Sequence, residues 1–462
     1  MSASRRGFIR GALAAAGVTS ATVGARASSK GSPDALGREV DAQAPRVGPK
    51  PVPVQTPDLP RLPWSWDNGV KVFHLVAEPV STEFLPGRPV DVWGFNGSMP
   101  GPTIEAEEGD RVRFVVENRL PELFSMHWHG LEVPLDMDGT PGISQDPIPP
   151  GGTFVYEFQL RQHGTFFYHS HMAMQELMGL VGLFVIHPTT AHEPRVDRDF
   201  GLILQGWAVL PNNTVPNTLA MEFNWLTLNG KSGPATTPML VKQGERVRVR
   251  FVNLSMDHHP MHLHGHTFHT VGTEGGRIPL AAWQPGNTVL VGVAQAREVE
   301  FVAKYLGDWM LHCHLPHHMM NQMVSTVGPL MTMRGLQTGL GAPEGMGIIR
   351  RGHALAEELG PSLGRAIGVS AERDRPVTNL PLGGQSHEGH AMPPADAPLV
   401  KGFPQDMWMV MDDMVAKPET HGLRPTWTAA MMGMMTLVRV LTPEMFDRIA
   451  SLRDANREGR SR

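Results

Sequence analysis

The chain has 462 residues, a net charge of −5 and 18% charged residues, so it is long enough for two or three domains. That charge balance gives no reason to expect nucleic acid or an anionic membrane as a partner. Hydrophobic residues make up 41% of the chain, as in an ordinary globular protein, and 50 glycines and 41 prolines favour turn-rich β structure over helical bundles.

The N-terminus has the form of an export signal. Arg5 and Arg6 precede the apolar stretch "GALAAAGV" (11–18), and "ARA" (25–27) suits signal cleavage. This order is typical of a twin-arginine signal, so residues 1–27 are predicted to direct export to the periplasm or secretion. The single cysteine excludes an internal disulfide. No later segment has the roughly 18 uninterrupted apolar residues needed to span a bilayer.

A unit of about 130 residues occurs twice in the sequence. The segment "EGDRVRFVVEN" resembles "QGERVRVRFVN", and Gly109 and Gly244 within them are 135 residues apart. The motifs "MHWHG" and "MHLHG" have the same offset. Further along, "HGTFFYHSHM" (163–172) matches "LGDWMLHCHL" (306–315) at an offset of 143.

Each unit has the pattern of short β-strands. "RVRFVVE" and "RVRVRFV" alternate polar and apolar residues, as half-buried strands do, and Pro/Gly clusters such as "PIPPGG" separate the strands. The predicted fold class is all-β, with two tandem Greek-key β-sandwiches. The predicted ranges are a Pro-rich linker at 28–60, a first domain at 61–190, a second domain at 197–335, and a partly helical extension at 336–462 that fits neither unit.

Four His-x-His pairs lie at matching positions in the two units. Because residues i and i+2 of a strand face the same side, each pair aims two imidazoles at one point. Eight imidazoles exceed the needs of one metal ion, and imidazole suits copper and zinc, so a cluster of copper ions is predicted. The pairs are His127/His129, His169/His171, His262/His264 and His312/His314.

The only cysteine lies inside the fourth pair, and the strand period turns it to the opposite face. A thiolate, two imidazoles and a weak axial thioether make a blue-copper electron-transfer site. Its two neighbouring histidines would connect that copper to the cluster over about 10–15 Å. In the first unit Ser170 occupies the matching position and cannot replace the thiolate. The candidate ligands are His259, Cys313, His318 and Met323.

Taken in order, "HWHG", "HSH", "HPMHLHGH" and "HCHLPHHMMNQM" resemble the four copper motifs of the multicopper oxidases, the laccase family, over roughly residues 65–335. The resemblance implies cupredoxin-like domains and four coppers per chain: one type 1, one type 2 and two type 3. It assigns the type 1 ligands to His259, Cys313, His318 and Met323, the type 2 ligands to His127 and His262, and the type 3 ligands to His129, His169, His171, His264, His312 and His314.

Three positions near these motifs bear on the resemblance. Asp138 of "MDGTPG" matches an acidic residue of the family, which implies proton delivery during O₂ reduction. The other interpretation is a turn aspartate before Gly139. Met319 stands where some members carry a second acid, and Asn321 or Gln322 stands where a glycine usually precedes the axial residue.

The spacing between motifs indicates the subtype. Only 87 residues separate His171 from His259, which leaves no room for the middle domain of three-domain laccases. The chain is therefore similar to the small two-domain laccases. That resemblance implies a homotrimer in which trinuclear sites lie between subunits, since head-to-tail contacts can close into a ring.

The predicted function is one-electron oxidation of phenolic or similar small reducing compounds at type 1 copper, coupled to four-electron reduction of O₂ to water. A periplasmic cuprous oxidase is the alternative. A non-catalytic copper-binding protein and a copper nitrite reductase are further alternatives. The resemblance places the blue copper of such reductases in the first domain, where this chain has Ser170.

The methionine-rich stretches motivate the cuprous alternative, because thioethers prefer Cu(I). The competing interpretation is apolar packing, including an apolar helix over Pro425–Leu441. A second helix is predicted over Gly352–Gly368. The methionine-rich stretches are His171–Met178, His387–Met392, Asp406–Met414 and Ala430–Met435.

Overall fold

Two β-sandwiches follow one another along the chain. The computed structural model describes residues 50–209, 214–221, 223–319 and 410–460. The predicted signal at 1–27, the helix predicted over Gly352–Gly368 and the predicted ligand Met323 lie outside the described residues. Among the described residues, no helix combines the length and the apolar character needed to cross a bilayer.

The described elements are almost all strands, as the sequence predicts. Short 3-10 turns lie at Leu135–Met137, Leu280–Ala282, Pro316–Met319, Pro418–Thr420 and Trp427–Ala430, and helix α1 spans Pro443–Arg460. The strands are β1 (Val54–Gln55), β2 (Trp64–Asp67), β3 (Val70–Glu83), β4 (Pro89–Phe95), β5 (Gly101–Glu107), β6 (Arg111–Asn118), β7 (Met126–His129), β8 (Thr153–Gln159), β9 (Gly164–Ser170), β10 (Val181–His187), β11 (Arg198–Trp207), β12 (Trp225–Leu228), β13 (Met239–Lys242), β14 (Arg246–Asn253), β15 (His259–Leu263), β16 (Phe268–Thr273), β17 (Gly276–Arg277), β18 (Gln284–Gly286), β19 (Thr288–Val291), β20 (Ala296–Val302), β21 (Gly307–Cys313) and β22 (Met435–Leu441).

The first sandwich joins the sheet β2-β3-β6-β8, with β4 on β3, to the sheet β5-β10-β9-β7. Strand β6 shows why the pattern folds this way, because every second side chain along it is buried. Phe114 of β6 meets Trp128 of β7 at 4.2 Å between ring centroids, so the core fills the space between the two sheets. Trp128 is also the residue that separates the first two predicted metal ligands along β7.

The second sandwich repeats this plan. Its first sheet has the order β1-β11-β14-β20-β16-β17, with β12 on β11 and β18 on β16, and its second sheet has the order β13-β22-β21-β15-β19. Strands β6 and β14 occupy equivalent places, as do β9 and β21. The duplication found in the sequence is therefore a duplication of sheets.

The C-terminal segment supplies a strand to the second sandwich, contrary to the expectation that it fits neither unit. Strand β22 pairs in parallel with β13 and antiparallel with β21, and all seven of its residues are buried. The apolar helix predicted over Pro425–Leu441 is wrong for this part of the segment. A continuous apolar run is compatible with a buried strand and with a buried helix, so the periodicity of this segment did not indicate a strand.

The end of the predicted linker also belongs to the second sandwich. Strand β1 pairs in parallel with β11, and Val54 is buried. Its carbonyl accepts a hydrogen bond from Arg61, and its amide donates to Glu105 of the first sandwich at 3.0 Å. Residues 54–61 thus lie against both sandwiches.

A buried charge network lies where the two sandwiches meet. Arg250 of β14 donates to Asp199 of β11 at 2.8 Å and to Glu298 of β20 at 2.7 Å. It also donates to the hydroxyl of Thr165, on β9 of the first sandwich, at 2.6 Å. Although burial disfavours the charged form of Glu298, Arg250 and Arg248 lower its pKa to about 2. Glu298 is therefore charged at neutral pH and forms an ion pair with Arg250.

Replacing Arg250 should destabilise the protein strongly. The Arg250→Ala variant removes the cation that lies closest to the buried Asp199 and Glu298, which should cost about 3–5 kcal/mol in the free energy of unfolding. Arg111→Ala is the matched control, because Arg111 is exposed and pairs with Glu157 at the surface. That change should stay within about 0.5 kcal/mol. Urea denaturation measures both, and similar losses in the two variants would contradict the network's role.

Candidate metal centres

Four imidazoles of the first sandwich converge at one end of β7 and β9. His127 and His169 are direct partners in the antiparallel ladder, so they face the same side. The ring centroid of His127 lies 5.6 Å from that of His129, 5.3 Å from that of His169 and 5.2 Å from that of His171. We call these four residues half-site one.

The second sandwich builds the same arrangement on β15 and β21. His262 and His312 are direct ladder partners. The ring centroid of His262 lies 4.9 Å from that of His264, 5.5 Å from that of His312 and 5.4 Å from that of His314. We call these four residues half-site two.

Backbone carbonyls orient the rings in both half-sites. In each, two imidazoles are placed to donate Nδ1–H to a carbonyl, which leaves Nε2 available for a metal ion. These ring–carbonyl hydrogen bonds are equivalent in the two half-sites because the sheets that carry them are repeated. The pairs are His127 to Asp138 and His262 to Asn287 at 2.7 Å, and His169 to Ser170 and His312 to Cys313 at 2.8 Å.

Burial keeps several of these imidazoles uncharged. It lowers the pKa of His169 to about 3 and that of His129 to about 4, and it also lowers the pKa values of His264 and His312. A neutral imidazole is the form that binds a metal ion. The half-sites are therefore ready for metal at neutral pH without losing protons from these four rings.

The structure does not bring all eight imidazoles to one point within a single chain. Among the described residues, no hydrogen bond or ring contact joins half-site one to half-site two. His171 and His314, the last member of each set, are exposed. The chain therefore presents two separate sets of four imidazoles.

A third donor set lies on the other face of β21. The Sγ of Cys313 is 3.6 Å from His259 Nδ1 and 3.3 Å from His318 Nδ1, and the two nitrogens are 3.0 Å apart. All three side chains are fully buried, whereas the neighbouring His317 is exposed. These separations leave room for one central ion at ordinary metal–ligand distances of about 2.0–2.3 Å. The predicted ligands His259, Cys313 and His318 are thus together.

The chemistry of this donor set fits a copper ion. Burial raises the pKa of the Cys313 thiol to about 12, lowers that of His318 to about 4 and lowers that of His259 well below its usual range. The thiol therefore keeps its proton until a metal ion displaces it, while both imidazoles are neutral. A buried thiolate with two imidazoles is the ligand set of blue-copper sites.

Three carboxyl groups lie close to the donor sets, and only Asp138 was found from the sequence. Its Oδ1 is 3.5 Å from His127 Nδ1, and Thr140 donates to its Oδ2 at 2.5 Å. Glu176 Oε2 lies 3.4 Å from His169 Nδ1, and burial raises its pKa to about 7. Asp257 Oδ2 lies 3.8 Å from His318 Nε2. No spacing pattern in the sequence marks Glu176 or Asp257.

The segment before β22 also reaches the Cys313 site, a contact that was not predicted from the sequence. The amide of Cys313 donates to the carbonyl of Met434 at 3.0 Å, and the amide of Met434 donates to the carbonyl of His318 at 3.0 Å. The approach is close enough that a Cβ on Gly433 would lie 1.9 Å from that same His318 carbonyl oxygen. The available signal was the likeness of "MGLV" (178–181) to "MGMM" (432–435).

Two repeated sandwiches, paired imidazoles in both and one Cys–His₂ set define a copper oxidoreductase built from cupredoxin domains. Two sequence profiles, both described as Multicopper oxidase, match residues 77–191 and 209–328. The chain belongs to the multicopper oxidase family. Membership in this family implies copper as the cofactor.

Individual relatives agree with this assignment. The Copper resistance protein A homolog of Pseudomonas syringae pv. tomato is 46% identical over 113 residues, which are 24% of this chain and 19% of that protein. Laccase-2 of Botryotinia fuckeliana is 32% identical over 238 residues, covering 46% of this chain and 40% of that one. The chain thus spans less than half the length of these two relatives. The crystal structure of Blue Copper Oxidase from Nitrosomonas europaea is 30% identical, with a TM-score of 0.50, over 54% of this chain and 80% of that one.

The metal-free protein should lose stability as the pH falls from 6.5 to 4. The unfolded chain protonates its histidines near pH 6.5, whereas His169 in the folded chain resists protonation down to about pH 3. The stability is therefore full above pH 6.5 and is lost on acidification. His169 alone should account for about 2 kcal/mol between pH 7 and pH 5. Urea titrations of the metal-free protein at several pH values measure the loss.

His169→Asn is the comparison for this pH dependence. The asparagine amide can still donate to the Ser170 carbonyl but does not titrate. The variant should show a shallower decline of stability with falling pH than the unaltered protein. Parallel declines in the two proteins would contradict the role assigned to His169.

Proposed function

We propose that the protein is a laccase-like oxidase that takes single electrons from small phenolic or similar reducing compounds and delivers them to O₂. The observation that carries this proposal is the position of Cys313, whose side chain lies in one donor set while its two neighbours in sequence lie in another. Copper held at the Cys313 set would supply one-electron chemistry, and copper held by the paired imidazoles would supply the reduction of O₂ to water.

The chain itself provides a short path between the donor sets. The thiol of Cys313 is connected to His312 and His314 through consecutive backbone bonds. In addition, His312 Nδ1 donates to the Cys313 carbonyl at 2.8 Å, which shortens the route to one ring. Strand β21 is held on both sides by β15 and β22, so this path is rigid. A storage protein would gain nothing from such a connection.

Two carboxyl groups lie beside half-site one and are candidates for proton transfer. We propose Asp138 as the proton relay, because its carboxylate lies beside His127 and the Thr140 hydroxyl donates to it. Glu176, beside His169, has a pKa of about 7 and can hold a proton at neutral pH. Acid–base groups of this kind are needed because reduction of O₂ to water takes up protons.

The separation of the half-sites supports a ring of subunits. Each chain presents four imidazoles on each sandwich, and the last of each set is exposed. Half-site one of one copy could therefore complete half-site two of the next, giving three coppers between subunits and four per chain. A head-to-tail contact repeated three times closes into a homotrimer. We propose that the assembled protein acts after twin-arginine export, in the periplasm or outside the cell.

Co-expression of two inactive variants tests both the activity and the assembly. His129→Ala damages half-site one, and His264→Ala damages half-site two without touching the Cys313 set. Each mixed trimer then keeps one site with both halves intact, so random mixing should restore about a quarter of the unaltered O₂ uptake. An oxygen electrode with a phenolic donor measures the rate, and each variant alone is the control. No uptake in the copper-loaded mixture would refute sites shared between subunits.

A second candidate function, oxidation of Cu(I), is supported by a group of methionines on and around β21. Met310, Met319, Met431 and Met435 pack together with Leu437 and Trp427. Met435 is the ladder partner of His312, so this group lies on the face that carries half-site two. Thioethers are soft donors that prefer Cu(I). The Pseudomonas syringae relative bears the name of a copper resistance protein.

Leucine substitutions should separate the two activities. Met310→Leu with Met319→Leu keeps the apolar packing but removes two thioethers, so the KM for Cu(I) should rise about tenfold or more while the KM for a phenol stays unchanged. Met221→Leu is the control, because Met221 is exposed and lies outside this group. Stopped-flow or oxygen-electrode kinetics with both donors measure the effect. Equal changes for both donors would argue against a Cu(I) site here.

A further inference from the structure

The duplication extends to strands β10 and β22, which are equivalent in the two sandwiches. Strand β10 lies between β5 and β9, and β22 lies between β13 and β21, with the same strand directions. In the first sandwich Val181 is the ladder partner of His169, and in the second Met435 is the ladder partner of His312. The residue before each partner is Leu180 in one copy and Met434 in the other.

The hydrogen bonds at this position repeat as well. The amide of Ser170 donates to the carbonyl of Leu180 at 3.0 Å, and the amide of Cys313 donates to the carbonyl of Met434 at 3.0 Å. Serine and leucine in the first copy therefore correspond to cysteine and methionine in the second. Both exchanges introduce sulfur at neighbouring positions, and both occur in the copy that has the Cys–His₂ set.

Strand geometry places the Met434 side chain on the Cys313 side of the sheet. Direct partners in an antiparallel ladder share a face, so Met435 lies on the face of His312. Met434 precedes it and lies on the opposite face, with Cys313. Both side chains are fully buried and belong to the same hydrophobic core.

The backbone of Met434 also touches the second ligand of the site. Its amide donates to the carbonyl of His318, and its carbonyl accepts from the amide of Cys313. Met434 is therefore held by two hydrogen bonds to two residues of the donor set. Met261, the other buried methionine beside Cys313, is its ladder partner on β15, and no backbone hydrogen bond joins Met261 to His318 among the described residues.

We propose that Met434 is the axial thioether donor of the Cys313 site, in place of Met323 as predicted from spacing. This inference rests on the proposed copper site. From His169 to Val181 the chain runs 12 residues, whereas from His312 to Met435 it runs 123. The site thus takes its axial donor from a segment that lies more than 100 residues beyond His312 and His318 in the sequence. The same segment provides β22, which lies between β13 and β21. One segment therefore completes both the sheet and the site.

The reduction potential of the copper-loaded, full-length protein tests this assignment. Met434→Leu removes a weak donor and should raise the potential, because Cu(II) loses a ligand. Met434→Gln offers a harder oxygen donor and should lower the potential and shift the copper EPR signal. Leucine and glutamine are close in size to methionine, and copper content with circular dichroism reports whether each variant folds. The readouts are a redox titration of the thiolate-to-copper absorption band and EPR, and neither depends on turnover.

Met261→Leu and Met323→Leu are the matched controls, and both should retain the unaltered potential and EPR signal. A shift in either control, with the Met434 variants unchanged, would overturn the assignment. Absence of the thiolate-to-copper band from the unaltered protein would instead refute the copper site itself, so the two failures are distinguishable. If Met434→Leu does not fold, Met434→Gln alone tests the assignment. A folded Met434→Gln protein with the original reduction potential would contradict axial ligation by Met434.

Discussion

The alternation of side chains along one strand, β21, is the constraint on which the rest of the structure depends. Cys313 faces the core of the second sandwich, while His312 and His314 face the other side. Two donor sets can therefore share three consecutive residues without sharing space. Any shift of β21 by one residue would exchange the faces and destroy both sets, so the strands on either side of it must fix its register.

Those neighbours fix the register in different ways. Strand β15 contributes His259 to one face and His262 to the other, in step with β21. Strand β22 contributes no histidine, but Met434, the residue before it, accepts a hydrogen bond from the Cys313 amide and is buried in the same core. Burial of the donor set keeps the thiol protonated and the imidazoles neutral before metal binds. The C-terminal segment thus contacts the Cys313 donor set as well as adding a strand to the sheet.

The two sandwiches share one arrangement of strands but carry different donor groups at the position of Cys313. In the first, Ser170 replaces the cysteine, and its hydroxyl donates to Gln175 at 2.7 Å, so the position serves the local turn. In the second, the same position carries the thiol. Meanwhile both copies keep their four imidazoles and the carbonyls that orient them. Within one chain the two half-sites remain apart, while the buried Arg250 network and its apolar surroundings hold the sandwiches together.

The sequence by itself determined the features that depend on short spacing. The duplicated unit, the all-β class and the grouping of His259 with Cys313 and His318 follow from strand period and from the chemistry of the ligands, which are local properties. Tertiary structure alone decided the rest. The place of β22, the approach of Met434 to Cys313 and the separation of the half-sites arise from pairing between segments that can be more than 100 residues apart. A strand that is buried on both faces, as Met435–Leu441 is, is mostly apolar on both. Its sequence therefore has no periodicity from which the neighbouring strands could be predicted.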